Sequence, residues 1–258
     1  MSTVEHIADT EQEVSVTKHK TTAKDRTQLL KAMMGLTVLG MAIGAYMALV
    51  YASTDALQGP VQRIFYLHIA SYGGAAVAFT SAAIGGAAYL RTREVKWDIM
   101  ALSGVEVGFV LTIITLVSGM IWAHYSWNTW WTWDPRLTSA AIMALTYAAY
   151  LMLRNGIENP DQRRRFAAVY GILALSTVIF TFMITRIRPD TIHPTVFGPS
   201  AAETSKGGFD VGKGMGPAIG INMMVWCTLL APTLIWLRIR LENLSEDIGR
   251  MKFELMNQ

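Results

Sequence analysis

Six stretches of the chain are predominantly apolar, at residues 29–51, 64–90, 99–123, 137–153, 166–184 and 217–237, and each is bounded by polar, charged or turn-forming residues. They run from 17 to 27 residues, against the roughly 20 that an α-helix needs to cross about 30 Å of hydrocarbon. Lipid offers no water to satisfy backbone N–H and C=O groups, so a spanning segment must be a helix or part of a closed barrel. None of the six shows the ~10-residue apolar/polar alternation of barrel strands. The pattern therefore predicts an all-α, polytopic membrane protein with six transmembrane helices, the fourth being the shortest.

The breaks between the runs carry the orientation. With six spans both termini lie on one side, and that side receives sixteen of the 22 Lys and Arg residues. They fall in the N-terminal tail (Lys18, Lys20, Lys24, Arg26, Lys31), the second break (Arg91, Arg93, Lys96), the fourth (Arg154, Arg163, Arg164, Arg165) and the C-terminal tail (Arg238, Arg240, Arg250, Lys252). Only Arg63, Arg136, Arg186, Arg188, Lys206 and Lys213 fall on the other side. The positive-inside rule then places both termini in the cytoplasm. The expected organisation is a cytoplasmic tail at 1–28, a six-helix domain at 29–237 with outer loops at 124–138 and 185–216, and a cytoplasmic tail at 238–258 that reads as a short solvated helix.

Composition sharpens this picture. At 258 residues with 52% hydrophobic residues and a positive mean hydropathy, the chain is too apolar for an ordinary soluble domain. The net charge of +3 is explained by membrane topology and needs no nucleic-acid partner. The single cysteine, Cys227, lies inside the sixth run, which excludes an internal disulfide, a Cys-pair metal site and covalent C-x-x-C-H haem attachment. Residues 1–27 lack the apolar core and small-residue cleavage site of a secretory signal, so the first span is expected to direct insertion. In the third outer loop, residues 207–213 fit the first seven positions of G-x-x-x-x-G-K, but Gly214 replaces the hydroxyl residue and no strand precedes it. A phosphate-binding reading is rejected.

The break between the third and fourth runs is unlike the others. Trp127, Trp130, Trp131 and Trp133, four of the eight tryptophans, fall within seven residues that lead into Asp134-Pro135. An aromatic belt scatters such residues over several helix ends; one loop this dense reads as a flat apolar shelf for a large planar ligand. On the same side lie His68, near the outer start of the second run, and His193, in the third outer loop, while His6 and His19 sit in the polar tail. Neutral imidazole is a common axial ligand of haem iron, and two can fill both faces of one porphyrin. His124 is also on this side and stays open as a ligand on spacing alone, with an interfacial role preferred. Propionates demand cations, for which Arg63, Arg136, Arg186 and Arg188 are available. Asp134 is suited to cap the following helix with Pro135 in its first turn, or to orient a His or Arg. Glu106, about 10 Å into the third span by helical rise, is expected to be hydrogen-bonded and neutralised, or else functional.

The string from Trp127 to Thr138 resembles the tryptophan-rich WWD signature of the haem-handling family of cytochrome c biogenesis, and its ending in Arg136-Leu137-Thr138 is similar to the haem exporter protein C (CcmC) branch. Asn128 stands where that family usually carries Gly, and Pro135 is more usual in its synthase branch. The resemblance covers about residues 29–237. It implies that His68 and His193 are the axial ligands, that Trp127, Trp130, Trp131, Trp133, Asp134, Arg136, Arg63 and Arg188 surround the macrocycle, and that haem b is a transported cargo rather than a redox group. It further implies a site on the periplasmic side of the inner membrane, delivery to the haem chaperone CcmE, and association with CcmD and the ATP-binding transporter pair CcmA and CcmB, with ATPase activity in those chains and no enzymatic role here. Membrane lipid is the remaining partner. Rival readings are a bis-His membrane oxidoreductase, a synthase that ligates haem to apocytochrome, and a solute channel with an aromatic vestibule. The topology is directly checkable: in a variant with Cys227 replaced by serine, a cysteine at Asn128 is expected to react with a membrane-impermeant maleimide added from outside intact cells, and one at Gln162 only after permeabilisation.

Overall fold

The structure, a computed structural model, describes residues 26–56, 58–193 and 212–256. His6, His19 and the basic tail before Arg26 lie outside the described residues, as do residues 194–211 of the long outer loop, including Lys206 and most of the 207–213 string. Six helices among the described residues are long and apolar enough to cross a membrane: α1 (Arg26–Tyr51), α2 (Pro60–Thr92), α3 (Val95–Trp127), α4 (Pro135–Gly156), α5 (Pro160–Ile187) and α6 (Met215–Met256). None of the described elements is a strand. All six predicted spans are present, and the differences lie at their ends. Helix α3 runs four residues past its apolar stretch at each end, so His124 and Trp127 belong to its last turn and the outer loop contracts to residues 128–134. The C-terminal tail is no separate helix but the unbroken continuation of α6.

Local chemistry accounts for the helix ends. Asn128 terminates α3 in the left-handed region, at φ 54° and ψ 31°, a conformation open chiefly to Gly and, among residues with a side chain, to Asn. Asparagine therefore suits the position that ends α3. Pro135 and Pro160 each open a helix at a position whose N–H has no intrahelical acceptor. The preceding residue supplies the cap in both cases: Asn159 Oδ1 accepts from the amides of Asp161 and Gln162, each at 3.0 Å, and Asp134 does the same for α4.

Helices α2 and α3 form the centre of the bundle, with α4 and α5 on one side and α6 on the other. Their closeness depends on small residues. A Cβ on Gly104 would lie 2.7 Å from the Ala78 carbonyl oxygen, and one on Gly85 2.8 Å from that of Trp97. In a lipid-like setting such close backbone approach provides much of the helix–helix attraction. Tyr147 of α4 is fully buried and stacks on Phe79 of α2 at 3.5 Å between ring centres. Helix α1 is the outermost and the least buried. It is held to α6 by polar contacts: Thr37 and Thr233 hydroxyls at 3.0 Å, and Asn222 Nδ2–H donating to the Gly44 carbonyl at 3.0 Å.

At the end of the bundle opposite the tryptophan loop, Asp98 of α3 is buried, and both its oxygens accept from Arg154 of α4 at 2.7 and 2.5 Å. Arg164 of α5 adds a contact at 3.6 Å. Glu106 is also paired, with Arg238 Nε at 2.5 Å, in keeping with the hydrogen-bonded arrangement expected of it; Arg238 in turn bonds Glu242. Removing one partner of a buried bidentate pair strands the other's charge. Asp98→Ala is thus expected to cost about 3 kcal/mol of stability, read as a lowered denaturation midpoint of the protein in detergent micelles.

Candidate functional site

A cleft opens among α2, α3, α4 and α5 at the end that carries the α3–α4 and α5–α6 connections. His68 projects into it from the first turns of α2 and His193 from the α5–α6 connection. Their ring centres lie 6.3 Å apart with planes inclined by 35°. With metal–nitrogen bonds of about 2.0 Å and roughly 1.1 Å from ring nitrogen to ring centre, two imidazoles on opposite faces of one metal have centres about 6 Å apart. The spacing therefore fits a single iron held between them.

The His68 ring is oriented by α3. Its Nδ1 lies 3.0 Å from the Thr115 carbonyl oxygen, an acceptor only, so Nδ1 carries the hydrogen and donates it. Nε2 then bears the lone pair, the tautomer that a metal-ligating histidine needs. Ser71 Oγ donates to the His68 carbonyl at 2.9 Å and sits 2.8 Å from the Thr115 hydroxyl, which fixes the same turn of α2 against α3. Gly119 leaves room for the ring: a Cβ there would stand 2.8 Å from His68 Cε1.

His193 is placed by a different device. Asp134 is buried, and its Oδ1 accepts from the Arg136 amide at 2.8 Å, capping α4. The same oxygen accepts from the Thr191 hydroxyl at 3.0 Å, and Oδ2 accepts from the Ile192 amide at 2.7 Å. Thr191 Oγ1 in turn accepts from the His193 amide at 3.2 Å. The helix cap expected of Asp134 is present, and the same carboxylate also holds the backbone that leads to His193.

The tryptophans divide. Trp127 and Trp131 line the cleft, and the Trp127 ring meets His193 edge-on at 6.4 Å. Trp130 and Trp133 do not line it; they are 53% and 79% exposed, Trp130 stacking on His124 at 4.1 Å and Trp133 meeting Trp131 edge-on. His124 likewise lies outside the lining.

The arginines divide too. Arg136 lines the cleft, donates to the Thr181 carbonyl and places its guanidinium 5.0 Å from the Tyr72 ring centre; Arg186 lines it as well, over Phe182 at 4.2 Å. Arg63 instead donates to the carbonyls of Ala48 and Leu49 at the end of α1, where the helix leaves acceptors unsatisfied. Arg188 donates to Asp190 at 2.7 and 2.6 Å on the surface. Those hydrogen bonds hold the Asp190 carboxyl below the usual carboxylate range, so the pair's contribution is present above the ordinary carboxylate pKa and fades as pH falls through the lowered one. Being exposed, it is small. Of the residues proposed from sequence, His68, His193, Trp127, Trp131 and Arg136 thus line one cleft, Asp134 buttresses it, and Arg63, Arg188, Trp130 and Trp133 lie outside.

Residues 14–203 match the family profile described as "Heme exporter protein C", a span that contains both histidines and the whole tryptophan loop. The chain belongs to the haem exporter protein C family. Curated haem exporter C proteins are similar to it: that of Haemophilus influenzae is 31% identical over 83% of this chain and 85% of its own. That of Rhodobacter capsulatus is 30% identical over 60% of this chain and 63% of its own length, and that of Paracoccus denitrificans 34% over 50% and 52%. The chain thus spans somewhat more than half the length of the latter two.

Sequence reasoning missed Tyr72, Gly119 and Trp122 in the haem exporter C cleft. A signal existed for Gly119: Thr112, Thr115, Ser118 and Gly119 recur at helical spacing and form a small, polar strip on an otherwise apolar span. Trp122 was obscured by the denser cluster after it; its Nε1–H donates to Gln58 Oε1 at 3.0 Å. Gly119→Ala is expected to push the His68 ring off its bond to Thr115. Overpacking of about 1–2 kcal/mol predicts roughly five- to thirtyfold weaker haem binding, measurable by spectrophotometric titration of the purified protein with haem.

Proposed function

We propose that this chain holds haem between His68 and His193 at the outer face of the cytoplasmic membrane and passes it to the periplasmic chaperone CcmE for cytochrome c maturation. The observation that carries the reading is the pair of imidazoles 6.3 Å apart across an apolar, tryptophan-lined cleft. Membership of the haem exporter C family supports haem as the cargo. The excess of Lys and Arg on the side of the termini supports the outward placement of the cleft. The chain has no C-x-x-C-H motif for c-type attachment, and the cargo in this reading is haem b held through its axial ligands.

The residues divide the work by chemistry. Trp127 and Trp131 exclude water and supply apolar area to the macrocycle. Arg136 and Arg186 face the cleft as guanidinium groups and match propionates in charge and in planar hydrogen-bonding geometry. His68, borne on a helix and tied to α3, is the fixed ligand; His193, borne on a connection, is the one that yields when a chaperone ligand competes for its coordination position. Trp130, Trp133 and Tyr125, exposed beside the cleft, are the surface that CcmE meets. CcmD and the transporter pair CcmA and CcmB complete the assembly, and ATP is used by the latter, so this chain acts as a delivery subunit without enzymatic activity of its own. A permanently bound redox haem would call for two helix-borne ligands, whereas one of these stands on a loop.

His68→Ala and His193→Ala are each expected to lower co-purifying haem at least fivefold, or to convert its six-coordinate low-spin spectrum to a high-spin one. Unchanged haem content and spectrum in both variants would remove the ligand assignment, and haem that stays bound in the presence of excess CcmE would favour the redox enzyme.

A further inference from the structure

We propose that Thr191 is the positioning residue that holds His193 as a ligand; the inference rests on the haem reading above and adds to it the group that acts through the loop histidine. A histidine on a connection has no helix to aim its side chain, and fixing one backbone residue costs about 1–2 kcal/mol. Something must hold the connection down if both imidazoles are to meet one iron.

The Thr191 hydroxyl is the atom that joins the two parts. It donates its hydrogen to Asp134 Oδ1 at 3.0 Å and accepts the His193 amide hydrogen at 3.2 Å. One oxygen thus links the capped N-terminus of α4 to the backbone of the ligand. The residue is 1% exposed and stands two positions before the histidine and four after the last residue of α5. Burial matters because water cannot replace the hydroxyl at either bond, and each broken bond leaves a desolvated partner. The adjacent Ile192 amide, donating to Asp134 Oδ2 at 2.7 Å, holds the chain from the other carboxylate oxygen but does not touch His193.

Valine has the shape of threonine without the donor or the acceptor, so Thr191→Val isolates the hydroxyl; Thr191→Ser keeps it. The variants and the wild type are purified in detergent, loaded with ferric haem and compared by absorption and electron paramagnetic resonance, with haem loss to apomyoglobin as the kinetic readout. Thr191→Val is expected to retain haem on His68 but to show a five-coordinate high-spin component and about tenfold faster haem loss. Added imidazole should restore the six-coordinate spectrum, and Thr191→Ser should behave as wild type. Thr191→Ala serves as a second removal of the hydroxyl where the valine variant yields no folded protein.

A normal spectrum and rate in Thr191→Val or Thr191→Ala, alongside a changed His193→Ala, would overturn the assignment while leaving the ligand pair intact. A Thr191→Ser variant as defective as Thr191→Val would overturn it as well, since shape rather than the hydroxyl would then matter. An unchanged His193→Ala would remove His193 as a ligand, and with it the bis-histidine reading on which this inference rests.

Discussion

A single buried carboxylate accepts three hydrogen bonds on which the end of the bundle that carries the tryptophan loop depends. Asp134 accepts the amide of Arg136 and so starts α4, and it accepts the Thr191 hydroxyl and the Ile192 amide and so anchors the segment leading to His193. An unpaired charge in such a place would be costly. Three donors and the positive end of the α4 dipole offset that cost, and the result is a rigid junction between two connections that are 57 residues apart in sequence. It adds a hydrogen-bonded tie to the edge-on contact of Trp127 with His193 that already brings the two connections together.

The two histidines are consequently held by unlike means. His68 is positioned by a helix pair whose separation is set by glycines and by a hydrogen bond to a main-chain carbonyl of the neighbouring helix, so its ring orientation is as stable as the packing of α2 on α3. His193 stands on a connection whose backbone is held by Thr191 and Asp134, with its ring against those of His68 and Trp127. In the proposed delivery of haem that asymmetry is useful, because a cargo must be bound well enough to be oriented and loosely enough on one side to be taken. A pair of ligands deep in two packed helices would bind as well and release poorly.

The site also shows how charge is divided in a membrane chain. At the opposite end of the bundle, Asp98 and Glu106 are matched by Arg154, Arg164 and Arg238, whereas the cleft presents Arg136 and Arg186 on backbone carbonyls and aromatic faces. In the proposed site these two guanidinium groups are the cations that face an anionic ligand.

Much of this was legible without coordinates, and the reason is the solvent. Hydrocarbon forces each spanning segment to satisfy its own backbone, so apolar length by itself declared six helices, and Asp134-Pro135 marked the start of the fourth. His68 stood out as a histidine within an apolar run, His193 as a second one on the same side, and Trp127 and Trp131 as part of a cluster denser than an aromatic belt. What sequence did not determine was which side chains meet. Arg63 and Arg136 look alike along the chain, yet the first is consumed by the orphan carbonyls of α1 and the second reaches the cleft. Trp130 and Trp133 are neighbours of Trp131, yet they turn outward because α3 continues through Trp127 and Asn128 reverses the chain. Thr191 and Gly119 carry no conspicuous chemistry, and their importance comes from what lies across from them: a carboxylate on another connection and an imidazole on another helix. Local rules act over a few residues and can be read in order, whereas convergence of distant side chains is set by how the helices pack, and that only the tertiary structure decided.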